Sequence, residues 1–211
     1  MPDSASSIVI FDLGGILIDW NPRHLYRRLI SDADTLETFL ANVTTSEWHG
    51  GQDKGGDPAA ATRALKQRFP EHGALIDAWY GRFDEMCAVA FPEMAALVER
   101  LAAAGVPLYL LSNAPAFMDT WMRPGGRLHT RHPFLRHFRD LVVSGAVGCW
   151  KPDAAIYRLA CTAAGTAADR AVFIDDSAAN AAGARATGLH GIHHRDAATT
   201  IAELRALGLP A

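Results

Sequence analysis

The sequence predicts an α/β protein in which parallel strands alternate with helical crossovers, with a helical insertion after the first strand. We interpret five short apolar runs as buried strands. These runs are residues 8–11, 107–111, 141–144, 171–174 and 189–193. Helical patterns lie between the later runs, and this alternation is typical of parallel sheets. A chain of 211 residues, 49% hydrophobic and 20% charged, can form one globular core plus one insertion.

Three of the predicted helices are followed by a glycine, which favours helix C-termini because it readily adopts the left-handed backbone conformation. The helices are 92–104, 152–164 and 178–187, and the glycines are Gly105, Gly165 and Gly188. Pro152 suits the first turn of the second helix, where a backbone N–H has no helical partner. A closing amphipathic helix is predicted over residues 197–207, with Ile201, Leu204 and Leu207 on its apolar side.

Between the first strand and Pro92 the sequence shows no convincing strand and instead carries apolar residues at helical spacing. These residues are Leu25, Leu29, Leu36, Leu40, Leu65, Phe69, Leu75, Trp79 and Phe83. We therefore predict a helical insertion over residues 20–88, and an α/β core formed by residues 1–19 and 89–211.

Two features inside the insertion bear on function. The glycine-rich stretch 48–57 predicts a mobile loop, which could gate a substrate or simply connect two helices. His49 in this stretch is interpreted as an exposed loop histidine. The aromatic residues Trp79, Tyr80 and Phe83 predict packing within the insertion rather than a substrate or partner surface.

The charge and cysteine content argue against several classes of protein. A net charge of −3 without a dense basic stripe disfavours nucleic acid as the main partner. No segment is apolar for long enough to span a bilayer, and residues 1–4 lack the basic region of a signal peptide. Cys87, Cys149 and Cys161 are odd in number and far apart, which predicts packing residues in a reducing cytosol rather than disulfides or a zinc site. We therefore expect a cytoplasmic protein without a nucleic-acid or membrane partner.

Four apolar runs lead into polar residues suited to phosphate chemistry: Asp12, Ser112, Lys151 and the pair Asp175–Asp176. Ligands of open parallel sheets bind at the carboxyl ends of the strands. Three carboxylates meeting there would repel one another at neutral pH unless one is protonated or a cation lies among them, and Mg²⁺ is the natural cation for oxygen ligands. Lys151 could offset the charge of a phosphate dianion, while Ser112 and the amide N–H of Asn113 could hold phosphate oxygens.

These groups together could support in-line attack of Asp12 on phosphorus, giving an aspartyl-phosphate that water hydrolyses. Each residue taken singly has a structural alternative. An aspartate after a strand commonly belongs to a turn, an Asp-Asp pair commonly caps a helix, and most lysines are solvated surface charges. The combination along one chain is far more specific than any member of it.

The combination resembles the four motifs of the haloacid dehalogenase-like superfamily, in the order typical of that family. Residues 11–19 resemble the nucleophile motif, residues 110–113 the second motif, residues 151–153 the third, and residues 173–180 the metal-binding fourth. The resemblance spans nearly the whole chain. It implies a Rossmann-like core, a small helical cap corresponding to residues 20–88, hereafter the cap segment, and an active site between them.

The resemblance also implies roles for individual residues. Asp12 would be the nucleophile, Ser112 and Asn113 would bind phosphate, and Lys151 would stabilise the developing charge. Metal ligands would come from Asp12, the backbone carbonyl of Gly14, Asp175 and Asp176, with Mg²⁺ as the cofactor.

Gly14 departs from the pattern of strongly active phosphatases of this family, which carry a second aspartate two residues after the nucleophile. That aspartate protonates the leaving group and later activates water, and glycine has no proton to give. General acid–base help contributes about 10²–10⁴-fold, so esters with good leaving groups, such as aryl or anomeric sugar phosphates, should lose least. A sugar-1-phosphate phosphatase subgroup is similar in having glycine here. Asp19, His49 or Asp53 could substitute as the acid.

Three functions remain open from the sequence. The first is a Mg²⁺-dependent phosphatase of a small phosphorylated metabolite, such as a sugar phosphate, acting as a monomer or homodimer. The second is a metal-independent 2-haloacid dehalogenase, which the paired carboxylates disfavour. The third is a phosphate- or metabolite-binding protein with low turnover, suggested by Gly14. A metal site formed by His190, His193 and His194 is disfavoured, because neighbouring strand residues point to opposite faces.

Overall fold

The computed structural model describes residues 8–211, and a five-stranded parallel sheet lies at its centre. The strands are β1 (Ile8–Phe11), β2 (Ile18–Asp19), β3 (Val89–Ala90), β4 (Leu108–Ser112), β5 (Phe138–Val143), β6 (Ala171–Asp175) and β7 (His190–His193). The order across the sheet is β5-β4-β1-β6-β7, with all four pairings parallel. The predicted Rossmann-like α/β class is confirmed.

Helices of the described residues account for most of the remaining regular structure. In the first half they are α1 (Arg23–Tyr26), α2 (Ala33–Asn42), α3 (Ser46–Asp53), α4 (Pro58–Arg68), α5 (Gly73–Gly81) and α6 (Phe83–Met86). In the second half they are α7 (Pro92–Ala103), α8 (Phe117–Met122), α9 (Arg127–Arg131), α10 (Ser144–Val147), α11 (Ala154–Ala163), α12 (Ala178–Ala186) and α13 (Ala197–Ala206). Short 3₁₀ turns lie at Pro70–His72, Pro133–His137 and Ala168–Arg170.

The central strand β1 is buried along its whole length because helices cover both faces of the sheet. Val9 and Phe11 belong to the apolar cluster on one face, and Ile8 and Ile10 belong to the cluster on the other. This alternation follows the two-residue period of a strand. The cluster that includes Phe11 continues without a break into the cap segment, where it contains residues such as Trp79. The division of the chain at residues 20 and 88 therefore stays a prediction.

Two expectations about the chain between β1 and Pro92 are wrong. Strands do occur between β1 and Pro92, since β2 and β3 pair antiparallel through Ile18 with Ala90 and Asp19 with Val89. Elements of two residues are too short to show alternation in the sequence. The stretch predicted as a mobile loop begins instead as helix α3, which ends only at Asp53.

Helix α3 forms despite its glycines because local and tertiary contacts outweigh their weak helix propensity. The Thr45 side chain accepts a hydrogen bond from the Trp48 N–H and so caps the first turn. His49 and Gln52 are buried on the inner face of the helix. The glycine content of this stretch predicted a flexible loop, but the burial of its side chains stabilises a helix instead.

Two other boundaries differ from the prediction. Strand β5 begins at Phe138, three residues earlier than the predicted apolar run. Helix α11 begins at Ala154, and Pro152 therefore lies outside its first turn. Asp153 at the N-cap has an extended backbone, with φ −64° and ψ 136°, so the helix cannot start before it.

Cys87 and Cys161 are buried and Cys149 is half-buried, and all three are free thiols. Across residues 8–211, no helix combines the length and apolar character needed to cross a membrane. The prediction about residues 1–4 lies outside the described residues.

Candidate active site

The sheet register brings the predicted strand-end residues to one edge. Phe11 of β1 pairs with Ile174 of β6, so Asp12 and Asp175, which follow them, lie side by side. The Asp12 N–H donates to the Ile174 carbonyl at 2.9 Å and extends this pairing by one bond. Ser112 ends β4, the neighbour of β1 on the other side. Asp12, Asp175 and Asp176 each offer a carboxylate oxygen within 4.8 Å of the others.

Lys151 lies between two of these carboxylates with only 3% of its surface exposed. Its Nζ is 2.9 Å from Asp12 Oδ1 and 2.6 Å from Asp175 Oδ2, and it also donates to the Leu111 carbonyl at 3.1 Å. Burial alone would lower the pKa of Lys151, but Asp12 and Asp175 outweigh it and the net shift is upward. The ammonium group therefore stays charged and acts as a fixed internal counter-ion.

Asn113 holds Lys151 in place through the backbone. Its Nδ2 donates to the Lys151 carbonyl at 3.0 Å, and its Oδ1 accepts from the Lys151 N–H at 2.9 Å. Because the Asn113 side chain is engaged in this pair, only its main-chain N–H could serve the predicted contact with phosphate. That contact stays a prediction, and the side chain has a positioning role that the sequence did not indicate.

Asp175 is the most strongly ordered of the three carboxylates. It accepts hydrogen bonds from the Ser177 N–H at 2.8 Å and from Asn180 Nδ2 at 3.0 and 3.1 Å, in addition to its contact with Lys151. Ser177 caps helix α12 by accepting from the Asn180 N–H. The start of α12 thus fixes the carboxylate at the sheet edge.

Asp176 is exposed at the opening of the site and lies against the turn that follows Asp12. Gly15 in this turn has φ +73°, and a Cβ atom there would lie 2.2 Å from Asp176 Oδ2. Both the backbone conformation and the space require glycine. Burial, followed by the charge of Asp175, raises the pKa of Asp176.

The Asp12 carboxylate is buried at the centre of the group. Its Oδ1 accepts from the Leu13 N–H at 2.7 Å and from Lys151. Burial raises the pKa of Asp12 to about 7, although Lys151 acts in the opposite direction. Nearby positive charge would therefore favour the ionised form that a nucleophile needs.

The donor set suits a hard divalent cation. Three carboxylates face a single ammonium group, so ionising all of them leaves two negative charges uncompensated in a mostly buried site. A Mg²⁺ ion prefers carboxylate oxygens and would balance this excess. Gly14 lines the adjoining cavity, and its carbonyl as a further ligand stays a prediction.

A cavity of about 300 Å³ opens from these carboxylates toward the cap segment. Its core side carries Asp12, Ser112, Asn113 and Asp176, together with apolar residues such as Met118. Its cap side consists largely of Trp20, Phe83, His49, Asp53 and Cys87. The cavity therefore joins a charged reacting end to a mainly apolar and aromatic end.

His49 is not the exposed loop residue that the sequence predicted. It is 7% exposed, and its ring stacks on Trp20 with centroids 5.2 Å apart. Its Nδ1 lies 3.0 Å from the Tyr80 hydroxyl and 3.4 Å from Trp79 Nε1. Burial lowers the pKa of His49 to about 4, so the ring is neutral at physiological pH.

Trp79 and Phe83 are buried, in line with the packing role predicted for these aromatic residues. Phe83 also lines the cavity, so for this residue the prediction of packing rather than a substrate surface is incomplete. The three C-terminal histidines have separate partners: His190 contacts the Asp169 carbonyl, His193 the Asp176 carbonyl, and His194 the Thr200 hydroxyl. Each of the three therefore has its own hydrogen-bond partner.

Ser144, at the start of α10, ties the cap segment to the core and was not identified from the sequence. Its hydroxyl donates to the Asp53 carbonyl at 2.5 Å and accepts from the Ala114 N–H at 3.0 Å. Gly145 beside it allows close packing, because a Cβ there would lie 2.7 Å from the Ala114 carbonyl oxygen and 3.0 Å from that of Gln52. Helix α3 is thus fixed against the loop that follows Asn113.

A protein-family model of haloacid dehalogenase-like hydrolases matches residues 7–188. The chain is a haloacid dehalogenase-like hydrolase. The match includes the regions of all four motifs. The family assignment predicted from the sequence is therefore confirmed, and with it the assignment as an enzyme.

Two curated relatives of the hydrolase are phosphatases by name. A sesquiterpene phosphatase, astK of Aspergillus oryzae, is 29% identical, and the alignment covers 94% of each chain. A phosphoglycolate phosphatase of Yersinia pseudotuberculosis is also 29% identical, over 91% of this chain and 84% of the relative.

Solved structures establish the fold of the hydrolase without separating its possible reactions. A HAD family enzyme from Bacteroides thetaiotaomicron, bt-2542, solved as a magnesium complex, matches with a TM-score of 0.67 at 19% identity, over 90% of this chain and 93% of the other. A 2-haloacid dehalogenase from Pseudomonas syringae pv. Tomato matches with a TM-score of 0.58 at 19% identity, over 87% and 84%. The reaction must therefore be argued from the site.

Proposed function

We propose that the hydrolase is a Mg²⁺-dependent phosphatase of small phosphate esters that acts through an aspartyl-phosphate on Asp12. The observation that carries the proposal is the cluster of three carboxylates within 4.8 Å of one another, two of them bridged by the buried Lys151. The phosphatase names of the two curated relatives support it.

Asp12 supplies the nucleophile. Its Oδ1 is held by the Leu13 N–H and by Lys151, which leaves Oδ2 to attack phosphorus in line with the leaving oxygen. The bond from phosphorus to the leaving oxygen breaks, and that oxygen takes up a proton. Water then attacks phosphorus, the bond to Asp12 breaks, and inorganic phosphate departs with the carboxylate restored.

Lys151, Ser112 and the Asn113 N–H would hold the transferring oxygens. Charge on these oxygens is the main obstacle to attack by a carboxylate, and a fixed ammonium group reduces it. Asp12, Asp175, Asp176 and the Gly14 carbonyl would hold Mg²⁺. When bound, this ion would supply electrostatic compensation for the phosphate charge.

The alternative functions fit the site less well. A metal-independent dehalogenase has no need of three clustered carboxylates, one of them at the exposed opening of the site. A binding protein without turnover has no need of a buried ammonium group against the carboxylate that would attack phosphorus. Gly14 remains the one observation that favours low turnover, and it is outweighed by the position of Lys151 against Asp12.

The lining of the cavity favours one chemical class of leaving group. Trp20, Phe83, Leu13, Ile18 and Met118 give most of its wall an apolar character, and its lining contains no arginine or lysine among the described residues. A sugar, one of the leaving groups considered from the sequence, would leave many hydroxyl groups without partners against such a wall. We therefore favour an apolar or aromatic alcohol as the leaving group, which agrees with the name of the Aspergillus relative. The cytoplasmic location and the monomeric or dimeric state stay predictions.

The test is a panel of substrates: p-nitrophenyl phosphate, farnesyl phosphate, glucose 1-phosphate and 2-chloropropionate. Each is assayed with Mg²⁺ and with EDTA, using wild type, Asp12→Asn and the exposed control Asp34→Asn. We expect ester hydrolysis that is lost in EDTA and in Asp12→Asn, is unchanged in Asp34→Asn, and favours the farnesyl over the glucosyl ester. Chloride release that persists in EDTA without ester hydrolysis would overturn the proposal.

A further inference from the structure

Gly14 leaves the reacting end without an acid at the position two residues after the nucleophile. A Cβ at Gly14 would lie 3.6 Å from the Trp20 Cβ, so the neighbouring space belongs to the apolar wall. An alkyl alcohol is a poor leaving group unless its oxygen is protonated as the bond breaks. The hydrolase therefore needs a proton donor from elsewhere in the cavity.

Two acids outside the proposed metal ligands line the cavity, Asp19 and Asp53. Asp19 is already engaged, since its Oδ2 lies 2.7 Å from His24 Nε2. Asp53 differs, because its Oδ1 is buried and has no hydrogen-bond partner among the described residues. A buried carboxyl oxygen without a partner is costly in the ionised form, which favours the protonated acid.

Asp53 is held through its backbone carbonyl, and its side chain faces the cavity. Its side chain is 21% exposed although Oδ1 is buried, so the remaining atoms carry that exposure, and the residue lines the cavity. Its carbonyl accepts from Ser144, which also bonds to the Ala114 N–H in the loop that follows Asn113. The acid is therefore held against the loop proposed to bind phosphate.

His49 faces Asp53 with an N–H group. The Trp79 indole N–H can only donate, so His49 Nδ1 is an acceptor and the neutral ring carries its proton on Nε2. That nitrogen lies 3.7 Å from Asp53 Oδ1, within ion-pair distance of the carboxylate that forms when Asp53 gives up its proton. Burial raises the pKa of Asp53 to about 7, so a protonated fraction persists at neutral pH.

We propose that Asp53, on a helix of the cap segment, is the proton donor to the leaving-group oxygen. The inference rests on the proposed phosphatase function. As Asp12 bonds to phosphorus, the leaving oxygen takes the Asp53 proton and departs as the alcohol. The Asp53 carboxylate then takes a proton from the water that attacks the aspartyl-phosphate, which returns the acid to its starting state.

The test compares two esters that differ in their need for a proton: p-nitrophenyl phosphate, with a good leaving group, and n-octyl phosphate, with a poor one. Asp53→Asn should lower kcat/KM for the octyl ester by about 10²–10⁴-fold and for the nitrophenyl ester by less than about 10-fold. The matched control Asp57→Asn, four residues away at an exposed helix cap where asparagine also caps well, should match wild type on both.

Equal losses on the two esters would mean that Asp53 has only a structural role, and no loss would mean that the proton comes from another group; either result overturns the inference. Asp53→Ser, with thermal melting of both variants, guards against misfolding of one of them. Asp12→Asn is assayed in parallel. If Asp12→Asn retains activity, the phosphatase mechanism itself fails, whatever Asp53 does.

Discussion

The core wall of the cavity carries carboxylates, one of them bonded to a buried lysine behind the wall, whereas the cap wall carries aromatic rings around an acid whose buried oxygen has no hydrogen-bond partner among the described residues. Behind the core wall, Lys151 and Asp175 are held by several hydrogen bonds each, and Lys151 lies 2.9 Å from Asp12, which lines the wall. On the cap wall, Trp20 and His49 stack beside Asp53. The core wall is suited to hold a charged phosphoryl group in place. The cap wall is suited to select the leaving group and to keep a proton near neutral pH.

The largest effect should come from breaking the charge balance of the core wall. Lys151→Met leaves the carboxylates of Asp12 and Asp175 without their buried counter-ion, and we expect a loss of about 10²–10³-fold in kcat on both test esters. Lys54→Met removes an ammonium group that lies over the Trp150 ring outside the cavity, and it should leave turnover unchanged. Retention of activity in Lys151→Met, measured with saturating Mg²⁺, would contradict the assigned role of the lysine.

The stability of the cap wall should depend on pH through Asp53. The Asp53 pKa is about 7 in the folded state against an ordinary value of 3.8, so its neutral form favours folding at low pH and this stability is lost as pH rises through 7. Asparagine does not titrate. Between about pH 4 and pH 7, the free energy of unfolding of Asp53→Asn should therefore rise relative to that of wild type by on the order of 3 kcal/mol. Urea titrations at several pH values measure this difference, and a constant difference would show that Asp53 is not buried as described.

Gly15→Ala tests how tightly the turn after Asp12 fits Asp176. The new Cβ would overlap the Asp176 carboxylate, and the left-handed backbone adds strain of about 1–2 kcal/mol. Gly105→Ala has a similar φ of +80° but open space around it, so it should show the strain alone. We expect both variants to lose stability and only Gly15→Ala to require more Mg²⁺ for half-maximal activity. An equal Mg²⁺ requirement in the two variants would show that Asp176 does not contribute to Mg²⁺ binding.

The smallest effect should come from removing the Ser144 hydrogen bonds that connect the cap segment to the core. Ser144→Ala removes the hydroxyl that joins the Asp53 carbonyl to the Ala114 N–H, at a cost of about 1–2 kcal/mol of unfolding free energy. Turnover of the octyl ester should fall more than that of the nitrophenyl ester, because only the former depends on the position of Asp53. Ser46→Ala, at an exposed site of α3, the helix that carries Asp53, is the control for thermal melting and turnover. If turnover of the two esters falls equally, Ser144 has no specific effect on proton donation by Asp53.

The core wall was predictable from the sequence for a physical reason. Parallel strands end at a common edge, so Asp12 and Asp175 become neighbours once their strands pair in register. Short runs with a polar terminus reveal this arrangement without knowledge of side-chain packing. The parallel sheet and the meeting of the carboxylates at one of its edges followed from such local signals.

The cap wall was not predictable in the same way. The burial of His49 depends on Trp20, Tyr80 and Phe83, which come from distant parts of the chain. No local pattern distinguishes a histidine in such a ring cluster from one on a surface loop. The lack of a partner for Asp53 Oδ1 among the described residues is likewise a property of tertiary packing, and the glycines in α3 had predicted a mobile loop instead.

The most direct test of the phosphatase account is mass spectrometry of the enzyme quenched in acid during turnover of a phosphate ester. We predict one added phosphoryl group on the peptide that contains Asp12, present with Mg²⁺ and absent with EDTA or in Asp12→Asn. Turnover without any phosphorylated enzyme, or with the phosphoryl group on a different residue, would contradict the account.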